Sequence, residues 1–188
     1  NTYSGKTRVA GSLVAGAPNT LSSQSDTAVD ASGALDLGGY SQTVTYVTLN
    51  GGTVQNGELH GSLTSHGGII ADLRVNPAGT LDPAKQVLFA SGTTVLGGAN
   101  KFSRVTVQGT VDLAGGTHGI TDTILAGGVI RNGSVTGKIS SNGGAIEDLG
   151  GSATLAAGSG TTVLRGSNTY FGHTTIGGGA VLTAENDA

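Results

Sequence analysis

The sequence predicts an all-β fold, a right-handed parallel β-helix of about eight coils. Three observations carry that expectation. The first is composition: 35 of 188 residues are Gly, Cys, Met and Trp are absent, and only 11% are charged. Gly-rich disordered chains usually lack aliphatic residues, yet Val, Leu, Ile and Ala recur here in short clusters such as "LDL", "VTL" and "VLF". The second is local pattern. β-branched residues suit pleated strands, and Gly, Asn and Asp suit the turns between them. The clusters predict strands of about three to five residues, and no helical period is sustained.

The third observation is repetition. Residues 33–73, "GALDLGGYSQTVTYVTLNGGTVQNGELHGSLTSHGGIIADL", match residues 109–149 without a gap, with 17 of 41 positions identical. Gly, Asp, Asn and Leu are retained, and aliphatic exchanges such as Val44 with Ile120 fill other positions. A second repeat has a different register. "GTTVLGGAN" at 92–100 matches "GTTVLRGSN" at 160–168, and a nonamer-like piece follows each: "NKFSRVTV" from Asn100, one residue shorter and degenerate, and "NTYFGHTTI" from Asn168. "NTYSGKTRV" from Asn1 is a third copy.

A propeller would need a blade period near 40–50 residues and longer paired strands. A sandwich would not explain the gapless self-match. A β-helix of roughly 20–25 residues per coil explains both observations, with coils about 4.8 Å apart. The whole chain, 1–188, then forms one β-helical unit. Alternation predicts inward side chains at Leu35, Leu37, Val47, Leu49, Ile70, Val105, Val107, Val111, Leu113, Ile124, Ile146, Leu155, Val163, Ile176 and Val181. Tyr3, Phe102 and Tyr170 hold equivalent places and are expected to form an aromatic stack or cover a turn. Ala15–Ser32 is expected to be a loop or an irregular coil.

The nonamers and their lead-in resemble a known element. "GSGTTVLRGSNTYFGHTTIGGGAVL", Gly158–Leu182, is similar to the passenger-associated transport repeat of bacterial autotransporters. Asn1–Leu21 resembles it too, and "SGALDLGGYSQTV" from Ser32 is similar to the coil that often follows. The residues carrying the resemblance are Asn1, Tyr3, Gly5 and Thr7 in one copy and Asn168, Tyr170, Gly172 and Thr174 in the other. Transport-repeat-like copies thus lie near 1–13, 92–107 and 160–182. Lys6, Arg8 and the degenerate copy at 101–107 depart from the pattern.

The resemblance implies a passenger of a type V secretion system, at the bacterial cell surface or secreted. Its partner would be its own C-terminal outer-membrane β-barrel, and a host surface or sister passengers are further candidates. In that family the repeats support transport and folding, and any enzymatic activity usually sits outside them. The expected role is therefore a non-catalytic stalk and folding segment. The alternatives are an adhesin surface and, less favoured, a polysaccharide-active enzyme.

The residues themselves carry little other chemistry. The upstream Gly that "GKT" at 5–7 would need for a phosphate loop falls before residue 1; in the better-preserved later copy His173 replaces the Lys and Gly166 stands one residue too far from Gly172. No G-x-S-x-G occurs. His60 and His66 form a metal site only with a third ligand from another coil, and together with His118 and His173 they are expected at solvent-facing turns. Asp36 with Asp112, and Asp72 with Asp148, recur in identical contexts. Such acids suit calcium binding or a carboxylate pair, but turn capping is the plainer expectation. Asn50, Asn56, Asn132 and Asn142 beside Gly are expected in left-handed turns. No cofactor, metal or catalytic site is expected. The net charge of −3 is scattered without a basic cluster, so no nucleic-acid partner is expected either. Absence of Cys excludes disulfides and zinc–thiolate sites.

Overall fold

Short β-branched segments end at glycine-rich corners, and each corner turns the chain onto the coil before it. The computed structural model describes residues 1–76 and 86–185. The strands begin with β1 (Thr7–Val9), β2 (Ser12–Val14), β3 (Asp26–Val29), β4 (Ala34–Asp36), β5 (Ser41–Leu49) and β6 (Thr53–Ser65). They continue with β7 (Gly68–Val75), β8 (Val87–Phe89), β9 (Thr93–Gly97), β10 (Lys101–Val107), β11 (Thr110–Asp112) and β12 (Thr117–Leu125). The last are β13 (Val129–Ser141), β14 (Gly144–Gly150), β15 (Thr154–Ala157), β16 (Gly160–Arg165), β17 (Thr174–Ile176) and β18 (Ala180–Glu185). Among the described residues every strand pairing is parallel and no helix occurs. The fold is a parallel β-helix.

Register defines the coils. One inward column runs Val9, Val29, Leu49, Ser65, Phe89, Val107, Leu125, Ser141, Ala157 and Ile176. These ten rungs mark about nine turns, against the eight expected. Coil length varies from 16 residues (Leu49 to Ser65) to 24 (Ser65 to Phe89). The coils are shorter than expected because long strands bend around corners without leaving the ladder. β6 pairs through Thr53–Gln55 with β4 and through Glu58–His60 and Ser62–Ser65 with β5. The 76-residue offset of the long repeat is four coils, Leu49 to Leu125. The nonamer repeat is eight residues out of step because Ser65 to Phe89 is eight residues longer than its counterpart, Ser141 to Ala157.

A second stack comprises β2, β4, the start of β6, β7, β9, β11, the start of β13, β14, β16 and β18. A third, shorter stack joins parts of β5, β6, β7, β10, β12, β13 and β14. The core is one continuous cluster in which Leu35, Leu49, Leu59, Leu63, Ile70 and Leu113 are fully buried. Most residues expected inside are there. Ile124 and Val163 are only half-buried, because the alternation places Thr123 and Thr162 inward instead. Ile176 is 53% exposed because no further coil covers its inward column. Val181 is 52% exposed because it is outward, with Leu182 packed on the core.

The aromatic residues do not form a common stack. Phe102 is buried and meets Phe89 edge-on, with ring centroids 6.3 Å apart. Tyr3 and Tyr170 lie in the first and last coils, far from it. Within Ala15–Ser32, irregular chain through Ser25 buries Leu21 and Ser22, and β3 then enters the first stack. Asn56 and Asn132 take positive φ as expected. Asn50 and Asn142 do not; the left-handed conformation falls one residue later, on Gly51 and Gly143.

The corner between the first and second stacks is nearly side-chain-free. A methyl group added at Gly33, Gly52, Gly68, Gly92, Gly109, Gly128, Gly144 or Gly160 would come under 3.0 Å from backbone of the preceding coil. The same corner carries ladder bonds such as Thr53 N–H to Gly33 O and Val129 N–H to Gly109 O, both 2.9 Å. Gly52 has no positive φ, so the obstacle there is contact alone. Gly52→Ala should therefore destabilise the protein by about 2–3 kcal/mol. Gly178→Ala, whose methyl meets nothing within 4 Å, should stay within about 0.5 kcal/mol. Thermal melts of the two variants check this.

Candidate functional site

The side chains that the sequence offers for chemistry are used between coils. Asp36 ends β4, and its Oδ1 accepts Gly38 N–H at 2.7 Å and Asn56 Nδ2 at 3.0 Å. Its Oδ2 accepts Gln55 Nε2 at 2.9 Å. Asp112 repeats the arrangement at the end of β11. It accepts Ala114 N–H at 2.9 Å, Asn132 Nδ2 at 3.0 Å and Arg131 Nε at 3.1 Å. The donor side chains in both cases belong to the next coil. The left-handed Asn thus fills its own turn and ties back to the acid beneath it.

The second acid pair forms a two-way clamp with the nonamers. Asp72 accepts Ala99 N–H at 2.9 Å, while Asn100 Oδ1 accepts Leu73 N–H at 2.9 Å. Asp148 accepts Ser167 N–H at 2.7 Å, while Asn168 Oδ1 accepts Leu149 N–H at 3.0 Å. Each Asn also closes its own turn, donating at 2.8 Å to Gly97 O or Arg165 O. Asp-Leu on one coil therefore grips x-Asn on the next, with one bond in each direction. Gly98 and Gly166 precede the gripped residue, and a methyl on either would strike the Asp carboxylate. The sequence showed both halves of this clamp as separate repeats, at offsets of 76 and 68. Only their juxtaposition was hidden.

The remaining nonamer residues are structural as well. Tyr3 Oη bonds Thr7 Oγ1 at 2.8 Å, and Tyr170 Oη bonds Thr174 Oγ1 at 3.1 Å. Gly172 has backbone of Ala153 against it, closer than a methyl allows. Gly5 has open space, and its carbonyl accepts the Ser25 hydroxyl. Asn1 is exposed; its Oδ1 accepts Thr2 N–H at 3.0 Å and its Nδ2 donates to Thr20 O at 3.1 Å.

The histidines disperse. His60 Nε2 lies 2.6 Å from Glu58 Oε1, and His66 Nδ1 lies 3.0 Å from Ser91 Oγ. His173 is exposed. His118, expected at the surface, is fully buried: Nε2–H donates to Leu113 O at 3.0 Å and Nδ1 faces Asn100 N–H at 3.4 Å. Its counterpart Gln42 is buried the same way, bonding Ala17 O and Leu21 N–H. The shared demand at this corner is for a polar group that satisfies backbone. Among the described residues, no three His, Cys, Asp or Glu side chains are placed to hold a metal ion.

The repeat-related acids do not form a carboxylate pair with each other. Asp36 and Asp112 are four coils apart, about 19 Å at 4.8 Å per coil, as are Asp72 and Asp148. A glycosidase pair needs roughly 5–9.5 Å. The sequence also did not signal a charge ladder on the second stack. Asp112, Arg131, Glu147, Arg165 and Glu185 stand in register, and Arg165 bonds both Glu147 at 3.1 Å and Glu185 at 2.9 Å.

The hydrogen bonds hold two carboxyls below the usual range. For Asp36 the main cause is Gln55, followed by Gly38 N–H. For Asp112 burial pushes upward, and Ala114 N–H, Asn132 and Arg131 together outweigh it. A lowered folded-state value stabilises the fold above the unfolded value of 3.8. That contribution disappears as pH falls through the folded value. Melting temperature should accordingly fall as pH drops below about 4, and fall less in the Asp36→Asn/Asp112→Asn double variant.

The clamp makes a separate prediction. Asn168→Ala leaves Leu149 N–H and Arg165 O without their partner and should cost about 1–3 kcal/mol. Asn1→Ala, which breaks no bond to another coil's Asp-Leu, should stay within about 0.5 kcal/mol. Equal losses in the two melts would contradict the clamp. Compared with family models, curated proteins and solved structures, the chain finds no match.

Proposed function

We propose that this chain is a non-catalytic stalk and folding segment of a bacterial autotransporter passenger, at the cell surface or secreted. One observation carries the reading. In the better-preserved copy of the transport-repeat-like motif, Asn168 and Gly172 both engage the preceding coil, while Tyr170 braces its own. A repeat whose task is to add coils in order would use its side chains in this way. The acids support the same reading, since Asp36, Asp72, Asp112 and Asp148 each accept a backbone N–H.

In this role the segment needs no reaction centre. Each coil buries its inward aliphatics only against a neighbour, so folding outside the cell would advance coil by coil and oppose return through the membrane. The own-chain outer-membrane β-barrel is the partner this reading implies. Deleting Gly158–Leu182 from the parent gene should lower surface display of the passenger severalfold and leave transcript level unchanged. Unchanged display by surface labelling would sink the proposal.

A further inference from the structure

Arg8, Arg104, Arg131 and Arg165 each bond a carboxylate. Among the described residues Arg74 bonds none, and neither does Lys101. Both are exposed, and they stand in direct register, Arg74 on β7 and Lys101 on β10. Like charges on neighbouring rungs, about 4.8 Å apart, repel each other. Stacking does not require them there. The long repeat places Gly150 where Arg74 stands and Ser134 where Glu58 stands, and the nonamer repeat places Thr169 where Lys101 stands. The same repeats keep the residues that tie coils together: Asp36 with Asp112, Asn56 with Asn132, and Asp72 with Asp148. One copy therefore stacks with these charges and the other without them.

The pair lies between two polar hollows on the third stack. One, of about 320 Å³, is lined by Ser41, Asn56, Glu58, Asp72 and Arg74, and Ser41, Glu58 and Arg74 stand in register on three successive coils. The other, of about 190 Å³, is lined by Lys101, Ser103, Thr121 and Thr136. We infer that this face binds an acidic oligosaccharide laid along the helix axis. One sugar carboxylate sits between Arg74 and Lys101, and a hydroxyl-bearing ring occupies the hollow on either side. The guanidinium offers a planar two-pronged grip on a carboxylate, and the ammonium adds a second cation. Glu58 and Asp72 select the kind of anion. Glu58 Oε1 meets His60 and Asp72 Oδ1 accepts Ala99 N–H, so each keeps one oxygen without a hydrogen bond among the described residues. Those oxygens accept sugar hydroxyls and repel a polymer charged at every unit. The inference rests on the Arg74–Lys101 pair and does not depend on the secretion reading.

The probe is a hexasaccharide of alternating glucuronate and N-acetylglucosamine, titrated calorimetrically into the whole chain. It should bind with a Kd of at most about 1 mM. Its carboxyl-reduced form should bind at least about tenfold more weakly, and so should the intact probe to the Arg74→Gln/Lys101→Gln variant. Lys6→Gln/Arg8→Gln removes as much charge from the first coil and should leave the affinity unchanged. Melting temperature should not fall in Arg74→Gln/Lys101→Gln, because the substitution relieves repulsion. Four results would overturn the inference: no saturable binding, equal binding of the reduced probe, equal losses in the two double variants, or a lower melting temperature in Arg74→Gln/Lys101→Gln. Tighter binding of a heparin fragment of the same length would overturn the selection for a sparsely charged glycan.

Discussion

The rest of the molecule depends on how closely one coil's backbone lies on the next at the glycine corner. Ladder bonds of 2.9 Å run through it, from Ala34 N–H to Gly11 O at one end to Ala145 N–H to Gly128 O near the other. Those bonds exist only while no Cβ stands between the coils. The abundance of glycine is thus a condition of stacking. It also sets the rise per coil, which brings inward aliphatics into contact and outward acids within reach of the next coil's donors. A side chain at Gly52 or Gly128 would wedge open the ladder, the core and the clamps together.

Around that corner the fold assigns different jobs to inner and outer side chains. Aliphatic columns supply the burial that stabilises the stack. Where the turn carries polar backbone into the interior, small hydroxyls follow it. Ser65 bonds Thr94 at 2.7 Å and Ser141 bonds Thr162 at 2.6 Å, and each Ser also accepts a turn N–H. Burying these hydroxyls without partners would be costly, so they recur as pairs. Outside, Asp-Asn contacts and arginine bridges fix which coil residue faces which. Exposed ion pairs such as Arg165 with Glu185 add little energy. A slip of one residue would, however, set every one of them against the wrong neighbour.

The class of fold was legible because a gapless 76-residue offset preserves corners and core together. The finer errors have physical causes. Ile124 and Val163 were expected inside from alternation, but register is set by the neighbouring corner, which puts Thr123 and Thr162 inward. Asn50 and Asn142 stand beside Gly as Asn56 and Asn132 do, yet at 50–51 and 142–143 the glycine takes the left-handed conformation and relieves the asparagine of it. The coil count fell short because one strand, such as β6, serves three faces without a break in its pairing. His118 was placed at the surface by residue type, whereas its position, shared with Gln42, marks a corner where buried backbone needs a polar partner. The clamp was visible only in halves, since Asp-Leu and x-Asn are 19–27 residues apart and pair across coils.

Directionality follows from the clamp itself. Each grip joins an acid on the earlier coil to an asparagine on the later one, and neither half satisfies the other's backbone until both coils are in place. Contacts between neighbouring coils span only one turn of chain, so the loop closed at each step is short and its entropy cost small. A partly stacked helix therefore always offers one finished face on which the next coil is stabilised as soon as it arrives. An isolated coil has no such template, because its inward residues would remain in water. Stability in this architecture grows by interfaces rather than by coils. That arithmetic suits a chain that becomes available in order from one end, and it requires of each repeat only that it present the right acid, asparagine and glycine at the right rung.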